Sequence, residues 1–117
     1  MINDNTLLIG GDNLDIYIID TNKYELIYHI IRYKREISAI IILNNGNILM
    51  GCNDKYDKYN LFEDNLYSLV EYKYEKGDLI EERSKKDAHS NIIVGLLEMN
   101  NGEIISCSFD KTIKFWA

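Results

Sequence analysis

Apolar residues along this chain come in short runs divided by polar clusters of Asn, Asp, Gly, Lys and Ser. Runs rich in Ile, Leu, Val and Tyr, bounded by such clusters, are strand signals. They predict ten strands, at about 6–11, 15–20, 24–32, 37–43, 47–52, 67–74, 78–84, 92–99, 103–108 and 112–116. No run holds an apolar stripe at helical period, so the chain is predicted to be all-β. Two turns are marked most strongly, Asn44-Asn45-Gly46 and Asn100-Asn101-Gly102. Asn-Gly between apolar runs predicts a tight hairpin whose two central residues both take positive φ.

The pattern repeats. Residues 7–20 (LLIGGDNLDIYIID) align without a gap on residues 104–117 (IISCSFDKTIKFWA). Residues 42–54 (ILNNGNILMGCND) align without a gap on residues 98–110 (EMNNGEIISCSFD), with Asn-Asn-Gly recurring in place. Ile48 therefore matches Leu7 and Ile104, at spacings of 41 (48 − 7) and 56 (104 − 48) residues. A unit near 40 residues with about four strands predicts a β-propeller. The longer second spacing is an insertion after Asp54, placed at 55–66 (KYDKYNLFEDNL), and it is expected to project as a loop.

Composition narrows the functional classes. The net charge of −6 argues against a phosphate-backbone binder, and the densest basic run, Arg83-Ser84-Lys85-Lys86, reads as a solvated edge. No nucleic-acid partner is expected. No apolar run is long enough to span a bilayer and none has the form of a signal peptide, so no membrane partner is expected either. Two cysteines, Cys52 and Cys107, make no disulfide framework. That fits a reducing compartment, the cytoplasm or the nucleus. They fall once per repeat with no Cys-x-x-Cys, which predicts buried small apolar residues in place of metal ligands. His29, within Tyr28-His29-Ile30-Ile31, reads as a packing residue. The Gly10-Gly11 stretch lacks the Lys and Ser/Thr of a phosphate loop, and no carboxylates form a recognisable acid–base pair. No catalytic residue, metal or cofactor is expected, and the chain is not expected to be an enzyme.

Residues 89–117 resemble most of one repeat of the WD-repeat (WD40) family. The family's His before the inner strand, Ser in the second strand, Asp in the following turn and Trp in the third strand fall on His89, Ser106, Asp110 and Trp116. The resemblance implies a structural hydrogen-bonded tetrad running Trp116 to Ser106 to His89 to Asp110. The earlier units depart from the pattern: Ile19 stands for the Trp and Asn13 for the Asp in the first, Tyr33 for the His and Met50 for the Ser in the second. Ala117 replaces the family's usual final Asp.

In the family the outermost strand of each blade opens the next sequence repeat. That convention implies a first blade at about 6–33 without its inner strand, a second at about 37–84 with the insertion, and a third at about 91–117 without its outer strand. About two and a half blades cannot close a ring, since propellers have about four to eight. Two expectations follow: the chain is a section of a longer propeller, or copies and partners complete the ring. The function implied is a non-catalytic scaffold that presents loops to a peptide or protein. The alternative is a short propeller piece that closes by homo-oligomerisation and binds a small ligand in a lectin-like way. The family's peptide-binding face maps to Asp12, Asn53 and Phe109 beside the turns and to Glu36, Ser38, Ile92 and Val94 at the inner-strand starts. Tyr56, Tyr59 and Phe62 of the insertion are further contact candidates, because aromatic side chains anchor interfaces.

Overall fold

The computed structural model of the chain describes residues 6–9, 16–30, 36–53, 67–75 and 78–117. They form ten strands: β1 (Thr6–Ile9), β2 (Ile16–Asp20), β3 (Glu25–Ile30), β4 (Glu36–Ile42), β5 (Ile48–Asn53), β6 (Tyr67–Glu75), β7 (Asp78–His89), β8 (Ile93–Glu98), β9 (Ile104–Ser108) and β10 (Ile113–Trp116). Among the described residues there is no helix. The strands pair in sequence order into three antiparallel sheets: β1-β2-β3, β4-β5-β6-β7 and β8-β9-β10.

The turns explain the hairpins, with one correction. At 43–47 the Leu43 N–H donates to the Asn47 carbonyl at 2.8 Å and the Gly46 N–H to the Leu43 carbonyl at 2.9 Å. Met99, Gly102 and Glu103 repeat the arrangement. Gly46 and Gly102 take φ of 88° and 87°, whereas neither Asn45 nor Asn101 has positive φ. These are three-residue loops ending in a left-handed glycine, not the two-residue turns expected. The Asn side chain at the second position, Asn45 or Asn101, accepts the N–H two residues on and stiffens the turn. Ser108–Thr112 follows the same plan with Lys111 at φ 70°.

The middle sheet is a sandwich filling. Alternate residues of a strand face opposite sides, and all six residues of β5 are buried. Ile48, Met50 and Cys52 join Ile37, Val70 and Tyr72 against Ile16 and Ile18 of the first sheet. On the other side Leu49 joins Leu43, Leu69 and Ala88 against Ile93 and Ile104 of the last sheet, with Trp116 at the rim. Gly51 lies under Ile93: a Cβ built there would come within 2.9 Å of the Ile93 Cγ2. Two apolar seams of this kind hold three sheets in a stack.

Two elements differ from the sequence reading. β7 runs to His89 instead of ending near 84, so the second blade's sheet spans 36–89. The basic run Arg83-Ser84-Lys85-Lys86 is strand because backbone pairing to β6 carries it, Leu69 opposite Lys85 and Glu71 opposite Arg83. The buried Glu71 carboxylate accepts from Asn47 Nδ2 and Arg83 Nε, each at 2.7 Å. Burial raises its pKa, but the hydrogen bonds from Asn47 and Arg83 and the Arg83 charge outweigh that and hold it below the ordinary value. Cys52 is buried as expected, but Cys107 is only half-buried, because it faces away from the middle sheet.

Candidate functional site

β7 delivers His89 into the seam between the middle and last sheets, and β9 and β10 bring Ser106 and Trp116 to it. Trp116 Nε1 donates to Ser106 Oγ at 2.9 Å. Ser106 Oγ lies 2.7 Å from His89 Nε2. His89 Nδ1 lies 2.9 Å from Asp110 Oδ2. An ionised Asp110 can only accept, so Nδ1 carries the proton. Ser106, already accepting from Trp116, then donates to Nε2. His89 and Ser106 are fully buried, so every one of these polar atoms needs its partner.

The network extends further than the four residues the sequence pointed to. The Ser90 N–H donates to Asp110 Oδ2 at 3.1 Å, and the Thr112 N–H to Asp110 Oδ1 at 2.9 Å. The Thr112 hydroxyl also donates to Oδ1 and sits 3.1 Å from His89 Nδ1. Thr112 was legible as a turn residue, since an Asp two positions earlier can cap its N–H. Lys114 adds a clamp, its Nζ donating to the Ala88 carbonyl at 2.7 Å.

Burial raises the Asp110 pKa, but the bonds from Thr112, Ser90 and His89 outweigh it and hold the carboxyl far below its ordinary 3.8. Because the folded value lies below the unfolded one, the stabilisation is complete above about pH 4 and fades as pH falls towards the folded pKa. Acid titration of thermal stability checks this: the loss between pH 4 and 2 should shrink in Asp110→Asn, and an unchanged acid limb would remove Asp110 as its source.

This arrangement fixes a turn. It has no open face for a substrate and does not read as a catalytic site. Among the described residues no group of His, Cys, Asp and Glu is placed to hold a metal, and no helix is long and apolar enough to cross a membrane.

The tetrad orders the surface beside it. The Phe109 N–H donates to the Ile92 carbonyl at 3.0 Å, and Ser108 Oγ donates to the Asn91 carbonyl at 3.0 Å. Phe109 (62% exposed), Ile92 and Val94 thus form an exposed apolar group on the loops at the start of β8. Ser38 is exposed, and its hydroxyl donates to the Gly51 carbonyl at 3.2 Å. Asn53 does not join this surface: it ends β5 at 7% exposure, buried by strands on both sides. Glu36 opens β4 opposite Asn53. Asp12, Tyr56, Tyr59 and Phe62 lie outside the described residues. His29 packs as expected, stacked on Tyr17 with ring centroids 4.2 Å apart.

No protein-family model matches the sequence, and no curated protein does. Solved structures do match by fold. A crystal structure of a mitotic checkpoint complex shares 17% identity at a TM-score of 0.73, over 97% of this chain and 33% of that one. The WD40 β-propeller domain of Doa1 shares 18% identity at 0.66, over 100% and 34%. The computationally designed Ika4 protein shares 16% at 0.62, over 99% and 62%. The chain spans about a third of the length of the first two. At these identities the likeness concerns the fold, which is that of part of a WD40-type β-propeller.

Proposed function

We propose that this chain is a non-catalytic interaction module, a section of a larger WD40-type ring that offers rigid loops to a peptide or protein. The observation that carries the reading is the apolar group Phe109, Ile92 and Val94. It stands exposed on a turn that a buried hydrogen-bonded network holds in place. Apolar side chains held rigidly at a surface lose little entropy on binding, which is what an affinity anchor needs. Protein partners, a reducing compartment and the absence of chemistry all belong to this reading. The test is quantitative affinity capture from lysate, comparing the native chain with Phe109→Ala. The capture of specific proteins should fall about tenfold or more, as loss of a ~1.4 kcal/mol anchor requires. An identical captured set would remove this face from the function.

A second reading, closure of a ring by copies of the chain with a small ligand inside, draws support from the outward face of the last sheet. There Leu97 (59%), Ile113 (65%) and Phe115 (63%) are exposed. They stand at positions equivalent to Ile41, Leu69 and Glu71, on the side of the middle sheet that the last sheet covers. A face so placed is built to be covered by a further sheet.

A further inference from the structure

The middle sheet has four strands and the last has three among the described residues. Their registers superpose: Ile48 pairs with Tyr72 as Ile104 pairs with Trp116. β10 is therefore the counterpart of β6, and its outer edge is where the last sheet would receive a counterpart of β7. In the first seam β7 fills the rim, with Leu79 packed beside Tyr74 against the apolar cluster. At the corresponding rim of the second seam there is a cleft of about 180 Å³. Leu49, Leu69, Ile104 and Trp116 form its apolar floor, and Arg83 and Lys85 form a basic wall. Arg83 is held by Glu71, whereas Lys85 makes no ion pair among the described residues.

We propose that the cleft and the edge of β10 together bind an extended acidic–aliphatic segment of another protein, which joins the last sheet as an antiparallel fourth strand. Main-chain bonds to β10 supply affinity and alternate side chains supply specificity, as in other strand additions. One aliphatic side chain seats beside Trp116, and a carboxylate lies against Lys85. β7 itself shows the pattern: Glu81 stands opposite Tyr72 and Leu79 opposite Tyr74. The charge of the wall favours an acidic segment, and all ten described strands are already committed to the three sheets. This edge is at the opposite end of β10 from the Phe109 turn, so its failure and that of the loop-face reading are separable.

Trp116 is the single tryptophan and lines the cleft, so its emission reports occupancy directly. The probe is a synthetic peptide of the β7 sequence Asp-Leu-Ile-Glu-Glu, titrated into the full chain. A saturable emission change is expected. It should weaken about tenfold with Asp-Leu-Ile-Lys-Lys and about tenfold in Lys85→Glu, an exposed site whose change leaves the fold intact. No saturable change overturns the proposal, and so does an equal response to both peptides. A peptide-free chain that is dimeric by light scattering, with β10 amides already protected from exchange, also overturns it in favour of a second copy.

Discussion

Replacing His89 with alanine is expected to lower the stability of the fold by about 3 kcal/mol or more, among the largest losses a single side chain can produce here. The imidazole is fully buried and bridges the Ser106 hydroxyl to the Asp110 carboxylate. Without it Ser106 keeps only Trp116 as a partner, and Asp110 loses one of the donors that hold it ionised. A cavity adds to the deficit, because close-packed strands on three sides collapse only partly. The damage should spread to the loop surface, since the Ser90 and Thr112 contacts to Asp110 shape the turn that carries Phe109. Urea unfolding followed by Trp116 emission measures it. A loss below about 1 kcal/mol would mean that the network adds little cohesion.

The second large effect is at the other contact between the same sheets. Gly51→Ala places a Cβ 2.9 Å from Ile93 Cγ2 and 3.0 Å from Ile93 Cβ. Neither neighbour can retreat easily: Ile93 is fully buried and Gly51 sits mid-strand between paired β4 and β6. Overpacking of this kind costs about 1–3 kcal/mol. Ile93→Ala alone opens a cavity and costs about 2–5 kcal/mol. Together they should be less damaging than their sum by about 1 kcal/mol, because the methyl added at 51 enters space released at 93. Strict additivity in the double-mutant cycle would show that the two sheets do not meet at this point.

Much of this was legible because local and long-range signals agree. Strand positions followed from apolar runs and turn residues, and the gapless repeat of Asn-Asn-Gly placed equivalent hairpins in the middle and last sheets. Asn-Gly signalled the turns but not their length, since whether the Asn also takes positive φ depends on the bond between Leu43 and Asn47, or Met99 and Glu103. The end of β7 was hidden because Arg83, Lys85 and Lys86 look like loop. On an outer strand the backbone pairs while the side chains stay in water, so composition carries no strand signal there. Asn53 was mistaken for a surface residue because position in a repeat says nothing about cover from neighbouring strands. The network at Asp110 was partly visible in residue types, whereas the Ser90 and Thr112 amides that complete it carry no side-chain signature.

The most direct measurement of whether these three sheets form a section of a larger ring is the absolute mass of the 117-residue chain, by light scattering behind a sizing column across a concentration series. A section with uncovered faces should run at its monomer mass of 13.7 kDa when dilute and grow without plateau as concentration rises, because its contacts do not close on themselves. One discrete oligomer at every concentration would contradict that reading, and would mean that copies of the chain complete the ring by themselves.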